Sequence, residues 1–128
     1  MSSKLLAVFV YLALMRTLAQ TVITLAGDAS GSNDGAGTVA LFAGPSSVAV
    51  DTSGNVIVAD QLNHKIRLIH PNRTVITLAG GSTAGSIDGV GTAALFYWPS
   101  GVVVDASGNV IVGDRMNDRI RLINPTRH

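Results

Sequence analysis

Apolar residues occur along this chain in short runs that are separated by turn-forming residues. Between residues 45 and 79, four such runs are rich in Val, Ile and Leu, and Gly, Asn, Pro and Asp lie between them. β-branched residues favour strands, whereas Gly and Asn favour tight turns. The pattern therefore predicts four short antiparallel strands joined by tight turns, at residues 48–51, 55–59, 65–70 and 74–79.

The same pattern occurs twice. Residues 21–73 recur as residues 74–127 with one residue inserted near Gly81, and 35 of the 53 aligned positions are identical. Units of this length cannot bury a hydrophobic face alone, so they stack on one another in solenoids and propellers. Four-stranded units favour the propeller. We therefore expect an all-β partial propeller of about two four-stranded antiparallel blades.

A long Gly-rich link precedes the strands of each unit, at residues 27–44 and 80–98. Both copies contain D-G-x-G-T-x-A-L-F. A link of this length is usually functional or carries a small structure of its own. We expect residues 27–37 to form a flexible surface excursion in which Asp34 is a turn former, as Asp88 is in the second copy. The A-L-F motif is expected to cover a blade edge or the seam between blades.

The first twenty residues differ from the repeats. Lys4 gives a positive start, residues 5–15 are eleven apolar residues without interruption, and a plausible cleavage point precedes Gln20. This layout is typical of a secretory signal peptide, and eleven residues are too few to cross a hydrocarbon core of about 30 Å. We predict a signal peptide at residues 1–19 and a secreted repeat segment at residues 20–128. An uncleaved anchor and a mistaken gene start are the alternatives.

Composition excludes several kinds of chemistry. The chain has no cysteine, and therefore no disulfide framework, thiolate nucleophile or Cys-ligated zinc. Its formal charge of +1 cannot attract nucleic acid or an acidic membrane strongly. Aromatic residues make up 5% of the chain, too few for the stacking platforms of single-strand RNA binding. We expect no nucleic-acid partner and no stable membrane span.

The ordered motifs of each unit resemble the NHL repeat in its longer variety, which contains an inserted D-G-x-G link. They are D-G-x-G-T-x-A-L-F, then P-S-x-V-x-V-D, S-G-N-V-I-V-x-D and N-x-x-I-R-L-I. The likeness covers residues 21–127, and the second copy departs at Asp118, where the first has the family's His64. It implies a β-propeller, commonly six-bladed, that binds through one face. Some relatives bind RNA or proteins, and some secreted relatives are lyases or hydrolases with central metals.

The resemblance also implies the order of strands, with P-S-x-V-x-V-D innermost and T-V-I-T-L-A-G outermost. Residues 21–26 would then be an outer strand without its blade, residues 47–79 one complete blade, and residues 102–123 three strands of the next. Two blades cannot close a ring. The chain is either a fragment or part of a homo-oligomer in which residues 21–26 supply the missing strand beside residues 119–123 of a neighbour. Three copies would give a ring of six blades.

The Asp and His residues give little support for catalysis or metal binding. A structural role, accepting backbone N–H groups in turns, suits four carboxylates at equivalent places in the two units: Asp51, Asp60, Asp105 and Asp114. His64 and His70 have no His counterparts, and His128 is terminal, so no set of ligands is evident. We expect His64 to be a solvated turn residue, and we expect no catalytic residue, metal site or cofactor.

One break in the repeat indicates a contact surface. Tyr97 and Trp98 stand where the first unit has Ala43 and Gly44. Aromatic residues of this kind anchor many interfaces. The pair is therefore a candidate interaction surface, although covering the end of the blade array would explain it equally.

Arg67 and Arg121 are further candidates for an interaction surface, because they form basic rows with their neighbours. They could contact phosphates or acidic protein surfaces, but pairing with Asp residues across strands is the favoured interpretation. Asn72 begins an N-x-T motif in a predicted turn and is a candidate site of N-glycosylation.

The function that these features predict is a secreted interaction module without catalytic activity, with a protein or glycan partner. The alternative is a fragment of an NHL-type propeller enzyme, a lyase or hydrolase, which would need a metal or an acid–base cluster. A third alternative is a product without independent function.

Overall fold

The computed structural model of the chain describes residues 2–125, with residues 14–18 described in their backbone only. Within these residues, one helix is followed by eight strands that form two antiparallel sheets. The helix is α1 (Ser3–Leu18), and the strands are β1 (Gly35–Ala36), β2 (Pro45–Val50), β3 (Val56–Asp60), β4 (Lys65–Ile69), β5 (Thr74–Ala79), β6 (Pro99–Val104), β7 (Val110–Asp114) and β8 (Arg119–Ile123).

The two sheets correspond to the two predicted blades. Blade 1 has the strand order β1-β5-β4-β3-β2, and blade 2 has the order β6-β7-β8. All strands except β1 lie within a few residues of the predicted ones. The prediction of an all-β partial propeller is confirmed, and the Gly-rich link adds β1 to the outer side of blade 1 by pairing with β5.

The tight turn between the first two long strands of each blade is built by an Asp side chain. Oδ1 of Asp51 accepts the N–H groups of Ser53 and Asn55, each at 2.9 Å. Asp105 builds the same turn in blade 2. Hydrogen bonds from the side chain and backbone of Asn109 hold the pKa of Asp105 below its ordinary value. The predicted structural role of these two carboxylates is confirmed.

The facing surfaces of the two blades share one hydrophobic core. Phe96 of the second link is buried there together with Val102, Val110 and Val112 of blade 2. Burying an aromatic or aliphatic side chain of this size stabilises the fold by about 1.5–3 kcal/mol. The second A-L-F motif therefore lies at the seam between blades, as predicted. Blade 1 contributes Ile57, Ala59, Ile66, Leu68 and Ala79.

The opposite face of blade 1 is covered by the first link. Ala40 is fully buried there against Val58, Ile69 and Val75, and Ala26 packs beside them. Successive residues of a strand point to opposite faces, so blade 1 buries one set of side chains against blade 2 and the alternate set against this link.

The predicted outer strand at residues 21–26 is wrong, because these residues form no strand in the structure. Val22 is 95% exposed and Ile23 is 65% exposed. The same six letters form a strand in β5, which is flanked by β4 and β1. A strand needs a neighbour for its backbone hydrogen bonds, and the described residues place none beside residues 21–26.

Helix α1 contains the apolar run near the start of the chain. Residues 3–13 are all exposed, including Leu6, Phe9 and Tyr11. None of the helices that the structure describes is long and apolar enough to cross a membrane.

Two isoleucines at the same place in the two repeats test how the blades are stabilised. Ile66 is fully buried, whereas Ile120 is 78% exposed. We expect Ile66→Ala to lower the free energy of unfolding by about 2–5 kcal/mol, because it removes buried methylenes and leaves a cavity. Ile120→Ala should change it by no more than about 0.5 kcal/mol. Urea denaturation measures both at a concentration low enough to keep the chain monomeric, and equal losses would contradict the burial described here.

Candidate functional site

A buried guanidinium lies at the centre of blade 1. Arg67 on β4 is fully buried, and its Nη1 donates to Asp60 Oδ2 at 2.7 Å and to the carbonyl oxygen of Leu41 at 2.8 Å. Its Nη2 donates to Asp34 Oδ1 at 2.9 Å and to the carbonyl oxygen of Asn33 at 2.8 Å. One side chain therefore joins the sheet to the Gly-rich link at three points.

The carboxylate of Asp60 is as buried as its cation. It accepts hydrogen bonds from the backbone N–H of Ala43 at 2.8 Å and from Nδ2 of Asn63 at 2.8 Å, in addition to the bond from Arg67. The Arg67 guanidinium carbon lies 4.8 Å from the centroid of the Phe42 ring. An ion pair taken out of water is favourable only when its remaining polar groups are also bonded. The Asp60 carboxylate meets that condition, whereas Nε of Arg67 is buried without a hydrogen-bond partner among the described residues.

Blade 2 repeats this network. Arg121 donates to Asp114 at 2.9 Å and to Asp88 at 2.8 Å, and its guanidinium carbon lies 4.7 Å from the centroid of Phe96. Pairing with Asp across strands is thus what the structure shows for both arginines. Because Arg67 and Arg121 are buried, the interpretation that they contact an outside partner is corrected.

The first link is not the flexible excursion that the sequence predicted. The backbone N–H of Gly27 donates to the carbonyl oxygen of Gly37 at 3.1 Å, and that of Gly31 donates to Phe42 at 3.0 Å. Asp34, predicted only as a turn former, binds Arg67 and also accepts both the N–H and the hydroxyl of Thr77. The only sequence signal for this role is that the D-G pair recurs at a constant distance before the Arg.

The aromatic break in the repeat lies at the seam between the blades. The ring centroids of His64 and Tyr97 are 5.5 Å apart in an edge-to-face arrangement, and those of Tyr97 and Trp98 are 6.3 Å apart. The backbone N–H of Trp98 donates to Nδ1 of His64 at 3.1 Å. His64 is therefore a half-buried contact between blades, and not the solvated turn residue that the sequence predicted.

The backbone of Trp98 is unusual. Its φ of 53° lies in the left-handed region, where the other repeat has Gly44 with a φ of 58°. A bulky residue in this region costs about 1–3 kcal/mol, and such strain clusters at functional sites.

An exposed apolar residue of blade 2 extends this aromatic pair. Met116 is 47% exposed, and Tyr97 remains 39% exposed. The N–H of Met116 donates to the carbonyl oxygen of Tyr97 at 3.1 Å, which holds the two residues together. We call this group the seam surface: His64, Tyr97, Trp98 and Met116.

The remaining candidate residues lie apart from the seam surface. Asn72 is exposed in the turn between β4 and β5, where its Oδ1 accepts the N–H of Thr74 at 3.0 Å, so its glycosylation stays a prediction. His70 lies at the end of β4, and His128 is outside the described residues. Within residues 2–125, no group of three or more His, Cys, Asp or Glu side chains is placed to hold a metal ion.

A family model described as "NHL repeat" matches residues 42–67 and 96–121. The chain carries two NHL repeats. Each match begins at the Phe beside the buried guanidinium and ends at the Arg that carries it, so the repeat contains the buried ion pair with Asp60 or Asp114. The Asp of the link, Asp34 or Asp88, lies outside both matches.

Curated relatives of these NHL repeats are much longer proteins. "Protein SUPPRESSOR OF QUENCHING 1, chloroplastic" of Arabidopsis thaliana is 36% identical over 73% of this chain, which corresponds to 9% of its own length. "NHL repeat-containing protein 2" of Gallus gallus is 32% identical over 74% of this chain and 14% of its own length.

Three of the solved structures that share this fold come from Bacteroides. An auxiliary nutrient binding protein of Bacteroides ovatus has a TM-score of 0.72 and 28% identity. The match covers 80% of this chain and 28% of the Bacteroides chain. An auxiliary nutrient binding protein of Bacteroides thetaiotaomicron has a TM-score of 0.69 and 31% identity. This match covers 77% of this chain and 27% of the Bacteroides chain. A protein of the same species named as a candidate phosphatase has a TM-score of 0.66 and 25% identity, over 77% of this chain and 25% of its own.

Replacing Arg67 tests the buried network of an NHL repeat. We expect Arg67→Met to lower the free energy of unfolding by about 3–5 kcal/mol, because it leaves the Asp60 carboxylate buried without its cation. Asp34→Ala removes a partner whose side chain is 47% exposed, and should cost about 1 kcal/mol. Chemical denaturation of the two variants measures the difference, and a small loss for Arg67→Met would show that the pair is not buried.

The contact between His64 and Trp98 predicts a pH dependence. Partial burial holds the pKa of His64 below its ordinary value of 6.5, against the opposing attraction of Asp114. The neutral ring accepts the Trp98 N–H, so its contribution to stability is complete above pH 6.5 and is lost as the pH falls from 6.5 through the lowered pKa.

Two His variants isolate this effect. We expect His64→Asn to flatten the fall in stability below pH 6.5 and His70→Asn to leave it in place, as measured by urea denaturation between pH 4.5 and 8. Asn tolerates the left-handed backbone of His64, whose φ is 56°. An unchanged pH profile in His64→Asn would contradict the role of this contact.

Proposed function

We propose that this chain is an NHL-repeat interaction module, without catalytic activity, that binds a protein or glycan partner through the seam surface. The observation that carries the proposal is the strained, left-handed Trp98 beside the exposed Tyr97, at positions where the other repeat has Gly44 and Ala43. Nothing in the packing of a blade requires this pair, because the first repeat forms its blade without it.

The chemistry of the seam surface suits such a partner. Tyr and Trp combine a large apolar face with a polar edge, which allows them to pack against a sugar ring or an apolar side chain. The two related Bacteroides proteins are called nutrient binding proteins, which supports binding as the activity of the fold.

We propose export as the setting of this function. Residues 1–19 would be a signal peptide and residues 20–128 the mature repeat segment. The exposed apolar side chains of α1 support this division, because a helix that buries none of its described side chains adds little to the folded core. In an exported chain of a eukaryote, the exposed turn at Asn72 would accept an N-linked glycan.

The assembled form of the module would be a homo-oligomer. Two blades leave an open array, and three copies would complete the six blades that are common among NHL propellers. The binding proposed for the seam surface does not depend on this assembly, because both halves of that surface belong to one chain.

The second candidate function is enzymatic, and the neighbour named as a candidate phosphatase is the observation that favours it. Incubating the purified protein with p-nitrophenyl phosphate and Mg²⁺, Mn²⁺ or Zn²⁺, and measuring its metal content, separates the two. Turnover that depends on a bound metal would support the enzyme.

Trp98 is the only tryptophan of the chain, so its fluorescence reports directly on the seam surface. We expect titration with cello-, xylo- or manno-oligosaccharides to shift its emission. Tyr97→Ala should weaken that binding at least about tenfold, since truncating an aromatic hot spot costs about 2 kcal/mol and about 1.4 kcal/mol corresponds to a tenfold change in affinity. Val39→Ala, at an exposed position of the first link, is the matched control and should have no effect.

The titration also decides between partner classes. An unchanged emission up to millimolar sugar would exclude these glycans and leave a protein partner. Binding that Tyr97→Ala does not weaken would contradict the seam surface as the site.

A further inference from the structure

A cleft of about 960 Å³ lies along the open side of blade 2. One wall is β8, and the other is the part of the second link around Gly89 and Val90. Phe96, Ile57 and Leu68 line its floor. The cleft therefore lies between β8 and the second link and is lined in part by apolar side chains.

The two walls are the counterparts of the two strands that flank β5 in blade 1. β5 pairs with β4 on one side and with Gly35–Ala36 on the other. In the repeat, β8 corresponds to β4, and Gly89 and Val90 correspond to Gly35 and Ala36. The cleft is thus the place that a strand equivalent to β5 would occupy in blade 2.

A segment with the sequence of that strand is present elsewhere in the chain. Residues 21–26 read T-V-I-T-L-A, as β5 does, and they form no strand. We propose that residues 21–26 of one copy enter this cleft of a second copy and form the fourth long strand of its blade 2. This inference rests on the proposed homo-oligomer and specifies the surfaces that build it.

Blade 1 defines the register of the exchanged strand. There, Ile69, Leu68 and Arg67 face Val75, Ile76 and Thr77. In blade 2, the same pairing places Val22, Ile23 and Thr24 of the second copy opposite three residues of β8, in the order Ile123, Leu122 and Arg121.

The carboxylate of Asp88 provides a further match. In blade 1, Asp34 bridges Arg67 and Thr77, accepting the Thr77 N–H at 3.2 Å and its hydroxyl at 3.0 Å. Asp88 binds Arg121 in the same way, but its side chain is 98% exposed, against 47% for Asp34. Thr24 of the second copy is the residue that would fill this position.

The segment cannot reach the cleft of its own chain without leaving blade 1. Ala26 packs on the face of blade 1 opposite blade 2, and the Gly27 N–H is bonded to Gly37 in the first link. Gly80, which follows β5, bonds in the same way to Gly91 in the second link. Residues 21–26 therefore lie one blade before β5, on the side remote from the cleft, which favours head-to-tail exchange between copies.

Two proline variants at identical places in the repeat test the exchange. Ile23 is exposed and outside any strand, so Ile23→Pro should leave the fold of one chain intact but remove a strand donor needed for pairing. Ile76 lies within β5, so Ile76→Pro should destabilise blade 1 itself. Circular dichroism measures the fold, and light scattering coupled to size exclusion measures the mass.

The expected result is a multiple of the chain mass for the wild-type chain and a single chain mass for Ile23→Pro. A monomeric wild type at about 50 μM would overturn both the proposed oligomer and the exchanged strand. Association that persists in Ile23→Pro, through α1 or another surface, would overturn the exchanged strand and leave the oligomer. Neither outcome affects the sugar titration of the seam surface.

Cysteine cross-linking tests the register, and the chain has no cysteine to interfere. Facing residues of antiparallel strands have Cα atoms about 4.5–5.5 Å apart, which suits a disulfide. The variant with Ile23→Cys and Leu122→Cys should give covalent oligomers on a non-reducing gel. The variant with Val22→Cys and Leu122→Cys should not, because Val22 would point to the other face.

An intramolecular pair calibrates the cross-linking. The variant with Leu68→Cys and Ile76→Cys places the same contact inside blade 1, and its disulfide should form without any change in mass. A disulfide within one chain in the variant with Ile23→Cys and Leu122→Cys would show that the chain fills its own cleft, and would overturn the exchange between copies.

Discussion

The ion pair between the arginine of β4 or β8 and the aspartate that ends β3 or β7 is the interaction on which the rest of the structure depends. In each blade, the guanidinium is held by that aspartate, by the aspartate of the link and by two carbonyl oxygens. A charge buried this deeply is tolerated only when its partners are in place. The same bonds hold the Gly-rich link against the blade, and through the link they position the aromatic or aliphatic residues that complete the core.

This arrangement explains why a link rich in Gly and poor in apolar residues is ordered. Its carbonyl groups and Asp34 act as ligands of Arg67, and Asn63 donates to the carbonyl oxygen of Gly31 at 2.6 Å. Within the link, Gly31 lies so close to the Leu41 side chain that a Cβ at this position would clash with it. The link thus behaves as part of the blade that follows it, which is why the two blades pack through Phe96 as well as through their strands.

The seam surface depends on the same packing. His64 comes from the turn before β4, whereas Tyr97 and Trp98 come from the end of the second link. They meet because the shared core places the two blades side by side. The backbone strain at Trp98 is offset by its contacts with His64 and Tyr97. The first repeat has Ala43 and Gly44 at the positions of Tyr97 and Trp98. This difference between the two repeats lies within the proposed binding surface.

The local elements of this protein followed from the sequence, because strand alternation and turn residues act over a few positions. β5 was predicted to the residue, and the turn roles of Asp51 and Asp105 follow from the chemistry of Asp itself. The partners of Arg67, the contact of His64 with Trp98 and the state of residues 21–26 could not be predicted in this way. Each depends on groups far apart in the chain, and the sequence T-V-I-T-L-A shows the reason. The same six letters form a strand at Thr74–Ala79 and none at residues 21–26, because only the tertiary structure decides whether a neighbouring strand is present to accept their hydrogen bonds.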